Sequence, residues 1–333
     1  MAAMPEWRGS ALKQKRKQMK AIIRTRYGSP DALQLAEVEK PAPKDNEILI
    51  RVRAASVNPV DFHDMRGRPL LMRLSSGLLR PKEIRLGVDL VGVVEAVGQD
   101  VTRFKPGDEV FGARNGALAE YVVTTGKALA LKPAHVTFEQ AAAVPVAGFT
   151  ALQGLRDHGR LQPGRHVLVN GASGGVGTFA VQIAKALGAT VTGVTSTRNV
   201  DLVRGLGADR VIDYTREEYT TGRERYDLVL DCVGNHSPAA NRRIMTPDGV
   251  YVMVAGALRH IAGTLLRTRL GRRDSAMFMA QTNNDDLLAL KEWIEAGKVT
   301  SVIDRCYPLG ETAAAIRYLE TGRARGKVVV TAG

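Results

Sequence analysis

The sequence has little cysteine and few aromatic side chains. Cys232 and Cys306 are its two cysteines, and Phe, Trp and Tyr together make up 5% of its 333 residues. Two cysteines exclude a disulfide framework and a four-cysteine zinc site, so we expect a reducing compartment and predict the cytoplasm. Long apolar runs are missing too, since none approaches the roughly 18 to 20 residues that a membrane-spanning helix needs. A hydrophobic fraction of 44% is typical of a globular protein, and the length allows two domains.

Acidic residues are outnumbered by basic ones. The chain has 34 Asp and Glu against 47 Lys and Arg, which gives a formal net charge of +13. Residues 1–20 carry six of the basic side chains and one Glu, without the apolar core of a signal peptide. We predict that residues 1–18 form a basic, flexible extension that is simply solvated. Transient contact of this extension with nucleic acid or anionic lipid is the alternative.

The first third of the chain has the pattern of β-strands. In "EILIRVRAASV", the apolar residues Ile48, Ile50 and Val52 alternate with charged ones, as in a half-buried strand. The segments "GVDLVGVVEAVG" and "GDEVFGA" indicate further strands, separated by the turn "KPGD". Long helical patterns are few here, so we expect a β-rich domain.

Strands and helices alternate in the middle of the chain. We predict strands at 165–170, 190–196, 210–213, 227–231 and 250–255, and helices at 176–188, 199–206 and 237–246. This alternation indicates an α/β domain with a doubly wound parallel sheet. After two further helices, from about 284 and at 311–320, the closing strand "GKVVVT" is expected to join the β-rich domain.

A glycine-rich turn, "VLVNGASGGVGT", follows the first of these strands and opens the first helix. Glycine there allows unusual backbone angles, close approach of the main chain to a pyrophosphate, and tight packing of helix on strand. The free N–H groups of the helix N-terminus favour the negative charge of the pyrophosphate. We therefore predict a dinucleotide site that contains Gly171, Ser173, Gly174, Gly175, Val176 and Gly177. A tight turn without a ligand is the alternative.

The end of the next strand, "GVTSTRNVD", indicates which dinucleotide is bound. An NAD site usually has Asp or Glu there for the ribose 2′-hydroxyl, whereas this chain has Ser196 and Arg198. A guanidinium suits a 2′-phosphate, so we predict NADPH. Tyr214 lies where the adenine would pack, although it is equally well explained as an ordinary strand-end tyrosine.

Several motifs in order give the chain a family resemblance. They include "AASVNPVDFHDMRG", "AAAVPVAGFTALQGL", "LGADRVIDY" and "YDLVLDCVG". With the glycine turn, they resemble the medium-chain dehydrogenase/reductase superfamily, specifically its zinc-independent quinone oxidoreductase branch. The resemblance implies a GroES-like catalytic domain split over 19–145 and 285–333, and a Rossmann NADP(H)-binding domain over 146–284. It also implies a cleft between them and a homodimer.

The chain departs from the zinc-dependent branch of that superfamily at the zinc ligands. Asn58 replaces a ligating cysteine, and Gly87-Val88-Asp89 replaces a Gly-His-Glu motif. The six histidines form no cluster with ligand spacing, so we predict no metal site. Without a Lewis acid, nothing lowers the pKa of a bound alcohol, so oxidation of simple alcohols is not expected. We therefore predict NADPH-dependent hydride transfer to a small apolar acceptor, either a quinone or an α,β-unsaturated carbonyl.

The resemblance also suggests site residues. Asn58 is a candidate for positioning substrate or nicotinamide, or it stabilises a turn next to Pro59. His63 stands where similar reductases have tyrosine, and it is a candidate donor to the acceptor oxygen or a pocket-lining residue. The family holds the nicotinamide half near Thr150 and near Val254, Ala255 and Gly256. Lys327 is a candidate for cleft electrostatics or a solvated strand end.

Two segments, 68–81 and 258–274, combine leucines with arginines. They indicate either a dimer-contact or loop helix with a charged rim, or a mouth that accepts long apolar substrates and touches an anionic membrane surface. A rival function is a non-catalytic NADPH-binding protein that acts through basic surfaces on nucleic acid or membrane. We predict no specific nucleic acid partner.

Overall fold

The computed structural model describes residues 18–70, 73–256 and 274–333. Its strands, named β1 to β15 in chain order, are Gln18–Ile23, Gln34–Glu39, Ile48–Val57, Asp89–Val97, Glu109–Ala113, Tyr121–Thr124, Leu129–Leu131, His166–Asn170, Thr190–Thr195, Arg210–Asp213, Tyr226–Asp231, Met245–Met253, Ser275–Met277, Ile303–Pro308 and Lys327–Thr331. Its helices, named α1 to α9, are Pro59–Arg66, Arg73–Ser76, Phe138–Ala142, Pro145–Gln153, Gly175–Ala186, Val200–Gly205, Pro238–Arg242, Asn284–Glu295 and Thr312–Glu320.

A seven-stranded sheet unites the two ends of the chain. Its order is β14-β15-β3-β4-β5-β7, and β6 pairs with β3 outside this path. Strand β15 is antiparallel to β3, so Val329 stands opposite Ser56. The closing segment thus pairs with a strand that lies far away in sequence, and it brings Lys327 to the end of β3. The small sheet of β1 and β2 is antiparallel and separate.

The second large sheet has the order β10-β9-β8-β11-β12-β13, and all its pairs are parallel. Numbered from β8 onwards, this is the Rossmann strand order 3-2-1-4-5-6. The predicted doubly wound α/β fold is confirmed. The order reverses between β8 and β11, and ligands of such sheets bind beyond the carboxyl ends of the strands at this point.

The apolar core runs between the two sheets. One cluster of buried side chains contains Phe111 and Val329 from the seven-stranded sheet together with Val169 and Leu230 from the parallel sheet. Helix α5 lies along β8 and buries its apolar stripe, with Phe179, Ala180, Ile183 and Ala184 all at 0% exposure. Burial of this stripe is what its 3.6-residue periodicity predicts.

One predicted helix is shorter than expected. The helix predicted at 237–246 ends at Arg242, and the strand predicted at 250–255 already begins at Met245. Met245 pairs with Tyr226 of the neighbouring strand, and the register shifts before Val250 pairs with Leu228. Pro247 and Gly249 lie in this irregular stretch, where neither continues a helix well. Residues 1–17 and the basic segment from 257 to 273 lie outside the described residues.

Candidate active site

Strand β3 runs directly into α1, and the junction carries a polar side chain. Asn58 precedes Pro59, which suits the first helical position because it lacks an N–H and has a fixed φ. The N–H of Asn58 donates to Oδ2 of Asp61 at 2.7 Å, so a carboxylate satisfies the start of the helix. Both side chains are 2% exposed. The sequence "NPVD" therefore places Asn58 at a buried and rigid junction.

Asn58, Asp89 and Lys327 form a buried hydrogen-bonded cluster. The Asn58 amide donates to Oδ2 of Asp89 at 2.9 Å, and its Oδ1 accepts from Nζ of Lys327 at 2.5 Å. The Lys327 ammonium also lies 3.3 Å from Oδ2 of Asp89, forming an ion pair whose side chains are 3% and 0% exposed. Ser56 donates to the same carboxylate oxygen at 2.5 Å. We call these four residues the polar cluster.

Asp61 lies next to the polar cluster and has an unusual acidity. Its two oxygens accept from the N–H groups of Asn58 and Gly87, at 2.7 and 3.2 Å. Burial, with a smaller contribution from the negative charge of Asp89, raises the pKa of its carboxyl to about 7. Near neutral pH this buried carboxyl is therefore partly protonated.

The polar cluster touches the glycine turn. The N–H of Gly326 donates to the carbonyl oxygen of Ser173 at 2.8 Å, and Gly326 forms a parallel bridge with Gly174. A Cβ added at Gly175 would lie 3.2 Å from Cδ of Lys327. The lysine stem therefore packs against the start of α5, and the turn and the cluster form one site.

The glycine turn fits a pyrophosphate. Gly174 is the N-cap of α5, and no side chain caps the helix there. A Cβ on Gly177 would lie 2.1 Å from the carbonyl oxygen of Gly171, so glycine is required for the helix to pack on its turn. Gly171 itself has a φ of +81°. The uncapped N–H groups and the missing side chains make the cradle that a dinucleotide phosphate needs. Ser173 and Val176 lie in the same turn and are partly buried.

Ser173 of the glycine turn is contacted by hydroxyl and amide groups from the end of β9 and the residues after it. Its Oγ accepts from Thr195 at 2.8 Å and from the Asn199 amide at 3.0 Å. The Asn199 amide also donates to Ser196 at 3.4 Å, while its own Oδ1 is buried without a hydrogen-bond partner. An unsatisfied buried acceptor is costly, and it fits a hydroxyl of a bound ligand.

Arg198 lies exposed beside this group. Its Nη2 donates to the carbonyl oxygen of Arg323 at 2.8 Å, so the loop between α9 and β15 borders the predicted 2′-phosphate position. Tyr214 is 57% exposed, and its N–H donates to the carbonyl of Thr195 at 3.0 Å. The structure thus brings Ser196, Arg198 and Tyr214 to one edge of the parallel sheet.

The other predicted cofactor residues lie on α4 and in the segment that follows β12. Thr150 is on α4 and donates to the carbonyl of Val146, whose own N–H donates to Asp89 at 2.8 Å. The segment Val254, Ala255 and Gly256 follows β12, and the N–H of Val254 donates to the carbonyl of Asp231. Gly234 packs against it, since a Cβ there would lie 2.2 Å from Cα of Gly256.

His63 lies outside the polar cluster. It is exposed on α1, and its ring lies 4.5 Å from that of Phe62, measured between ring centroids. Partial burial lowers the pKa of His63, and the negative charge of Glu320 opposes this effect. Its proposed donor role stays a prediction.

Sequence reasoning did not identify Ser56, Asp61 or Asp89 as members of this site. Asp89 was noted for replacing a glutamate of the zinc motif, and Asp61 was not singled out. For Lys327, the interpretation as a solvated strand end is wrong, because its side chain is 3% exposed. The available signal was an isolated lysine that opens an apolar strand, and a charge at such a place needs a buried partner.

Within residues 18–70, 73–256 and 274–333, no group of three or more His, Cys, Asp or Glu side chains could hold a metal ion. Among the helices of the same residues, none is both long and apolar enough to cross a bilayer.

Comparison with known families gives two matches along the chain. The family described as "alcohol dehydrogenase GroES-like domain" matches residues 44–134, and the family described as "zinc-binding dehydrogenase" matches residues 206–330. The chain is 37% identical over 328 residues to a 2-methylene-furan-3-one reductase of Solanum lycopersicum, covering 94% of this chain and 79% of the relative. It is also 37% identical to a chloroplastic NADPH-dependent alkenal/one oxidoreductase of Arabidopsis thaliana, with 94% and 80% covered.

Solved structures agree with these matches. The fold resembles a quinone oxidoreductase from Coxiella burnetii, with a TM-score of 0.85, 32% identity, and 95% of this chain and 100% of the other covered. It also resembles an Escherichia coli quinone oxidoreductase complexed with NADPH, with a TM-score of 0.80, 26% identity, and 94% and 100% covered. Fold and site together define an oxidoreductase with a GroES-like domain and a dinucleotide fold. The chain belongs to the medium-chain dehydrogenase/reductase superfamily, in its quinone oxidoreductase branch.

Proposed function

We propose that this protein transfers hydride from NADPH to a quinone or an α,β-unsaturated carbonyl. The observation that carries the proposal is the contact between the polar cluster and the glycine turn, through Lys327 and Gly175. The relatives that reduce alkenals, enones and quinones support the same substrate class. When bound, the nicotinamide supplies the hydride.

The polar cluster would serve the acceptor. Lys327 directs two of its three N–H bonds to Asn58 and Asp89, and we propose that the third serves the acceptor oxygen, on which negative charge develops. Asp89 fixes the Asn58 amide and balances the lysine charge. Asn58 and Asp89 are thus positioning residues in this proposal.

We propose that the reaction needs no zinc. Two of the positions that differ from the zinc branch, Asn58 and Asp89, converge in the structure, and the cation between them is the Lys327 ammonium. A lysine ammonium repels a dication at that place, and an amide is a poor zinc ligand beside the usual Cys and His. A chelator is therefore expected to leave turnover unchanged.

NADPH is held, in this proposal, by the start of α5 and by the edge of the parallel sheet. The N–H groups of Gly175, Val176 and Gly177 would face the pyrophosphate, while Ser196 and Arg198 would hold the 2′-phosphate. Thr150 and the segment 254–256 would line the nicotinamide half.

The test follows NADPH absorbance with the purified full chain. The acceptors are 1,4-benzoquinone, 9,10-phenanthrenequinone, an enone and a 2-alkenal, and a primary alcohol with NADP serves as the zinc-type control. We expect turnover of at least one quinone or enone, insensitive to chelator, with NADPH preferred to NADH. Arg198→Gln is expected to raise KM for NADPH about tenfold and leave KM for NADH unchanged.

One variant tests which residue is the donor. His63→Phe is expected to lower kcat if His63 donates to the acceptor oxygen, and to leave kcat unchanged if Lys327 carries that role alone. Tight NADPH binding without turnover of any acceptor would contradict the enzyme proposal and favour a binding protein that acts through its basic surfaces.

We further propose a homodimer in the cytoplasm. The dimer is implied by the family resemblance, and light scattering after size exclusion gives its mass. The two cysteines, Cys232 and Cys306, are both free, which suits a reducing compartment. Relatives named mitochondrial or chloroplastic make cell fractionation the deciding measurement.

A further inference from the structure

The segment between α1 and β4 exposes four leucines within ten residues. Leu70, Leu74, Leu78 and Leu79 are 67%, 69%, 65% and 85% exposed. Single exposed leucines are ordinary on a soluble protein, whereas a group on one short segment marks an interaction surface. We call these four residues the leucine group.

Basic side chains accompany the leucine group. Arg68, Arg73, Arg80 and Lys82 lie on the same segment, and no carboxylate among the described residues pairs with any of them. Arg73 lies over the ring of Tyr27, 4.5 Å from its centroid, and donates to the carbonyl of Gly67 at 3.0 Å. The segment is thus both apolar and positively charged.

A cavity opens at the base of this segment. Its volume is about 270 Å³, and it is lined by Tyr27, Gly28, Ser29, Arg66, Arg68 and Arg73. Arg66 is neutralised by a two-point ion pair with Glu320, at 2.5 and 2.9 Å. The other two guanidinium groups therefore give the cavity an excess of positive charge. A guanidinium is well suited to a phosphate, which it binds through two parallel hydrogen bonds.

We propose that this face docks on an anionic phospholipid surface. The leucine group would enter the boundary between headgroups and acyl chains, and the cavity at Arg68 and Arg73 would take a headgroup phosphate. Charge complementarity favours this occupant. A second copy of the chain, placed by a twofold axis on the same face, would bring the unpaired basic side chains against one another. The proposal stands independently of the reductase activity.

The docking face adjoins the candidate active site. The segment leaves α1 at Gly67 and returns at Gly87, whose N–H donates to Asp61. Asn58 begins the same helix, and Asp89 follows two residues after Gly87. The docking face is therefore joined at both of its ends to elements that carry active-site residues.

The first experiment measures cosedimentation of the full chain with vesicles of phosphatidylcholine, alone or mixed with phosphatidylserine, at physiological salt. We expect binding to the mixed vesicles. The double variant Leu78→Ser/Leu79→Ser is expected to bind about tenfold more weakly, since two apolar side chains no longer enter the bilayer. Leu288→Ser, which alters an exposed leucine on α8, is the matched control and should bind as the wild type does. Equal binding of the double variant and the wild type would overturn the proposal.

The second experiment tests the charges. Arg68→Gln/Arg73→Gln is expected to weaken binding to the mixed vesicles several-fold, whereas Arg223→Gln, at an exposed site on the parallel-sheet domain, should have little effect. The basic residues of 1–17 and 257–273 are present in every variant, so their contribution cancels. If the double variant lost no more than twice the binding free energy that Arg223→Gln loses, binding would depend only on general charge, and the proposal would be overturned. Release of the protein from vesicles by millimolar inorganic phosphate would assign the cavity to a soluble phosphate instead. If Leu78→Ser/Leu79→Ser turned a dimer into a monomer without weakening vesicle binding, the face would be an interface between copies.

Discussion

Lys327 is the residue on which the site depends most. Its ammonium is buried and is balanced by the Asp89 carboxylate 3.3 Å away. Removing one partner of a buried ion pair leaves the other charge without compensation, which is far more costly than removing both. Stability and activity can therefore be separated by comparing single and double variants.

We expect Lys327→Met to lower the free energy of unfolding by about 3 kcal/mol and to abolish most turnover. The double variant Lys327→Met/Asp89→Asn should regain most of the stability, because no isolated charge remains, but not the activity. Chemical denaturation and kcat measurements on both variants check this. A double variant with restored kcat would show that the ammonium has only a structural role.

Asp61 gives a pH-dependent stability. Its carboxyl has a pKa of about 7 in the folded protein against 3.8 for an ordinary aspartate, so the folded protein binds a proton that the unfolded chain has released. The stabilisation that comes from protonated Asp61 is complete below about pH 4 and is lost as the pH rises through 7. Above about pH 7 no further stability is lost through this group.

Asp61→Asn is expected to remove this pH dependence. Between about pH 5 and pH 8 the wild type should lose about 2.5 kcal/mol more unfolding free energy than the variant. Guanidinium titrations at the two pH values measure the difference. Parallel pH profiles of the two proteins would mean that Asp61 is ionised throughout.

The sequence shows the identity of these residues but not their contacts. Asn58 could be singled out because it stands in a motif beside Pro59. Asp89 and Lys327 are 31 and 269 positions away from it. Only the pairing of β15 with β3 brings them together, and local periodicity contains no information about which distant strands pair.

At the scale of elements, the glycine turn was the best predicted part of the molecule. A strand, a glycine-rich turn and an amphipathic helix are all local patterns, so their order in sequence is their order in space. The helix predicted at 237–246 shows the opposite case. Its residues can form a helix locally, but Met245 is taken up by pairing with Tyr226 in the parallel sheet. Tertiary pairing overrides local preference there.

Two glycine substitutions test the packing of the turn, one at Gly177 and one at Gly205 on α6 as a control. In Gly177→Ala, the added Cβ would lie 2.1 Å from the Gly171 oxygen, so we expect a loss of about 3 kcal/mol and weaker NADPH binding. Gly205 is helical, and nothing lies within 4 Å of its Cβ position. Gly205→Ala should therefore stabilise the protein by about 0.5 kcal/mol. Thermal unfolding compares the two, and equal effects would disprove the packing argument.

At the scale of the whole molecule, the seven-stranded sheet is complete only when the last strand has been added. Strand β15 lies between β14 and β3, and its residues Val328, Val329 and Val330 are 0–1% exposed. A deletion of residues 327–333 is expected to leave β3 and β14 without their shared neighbour and to prevent cooperative folding. Circular dichroism and limited proteolysis of the deletion variant measure this. A cooperative unfolding transition in the deletion variant would contradict it.

The main-chain bond between Gly326 and Ser173 has a mechanical consequence. It ties the returning strand of the seven-stranded sheet to the turn of the parallel sheet, next to the Gly174–Gly326 bridge. This bond and the apolar core that the two sheets share hold them together on this side, so they cannot slide past each other there. If the cleft opens to admit NADPH and acceptor, we expect the two sheets to rotate about this bond. The parts of the cleft farthest from the bond would then move the most.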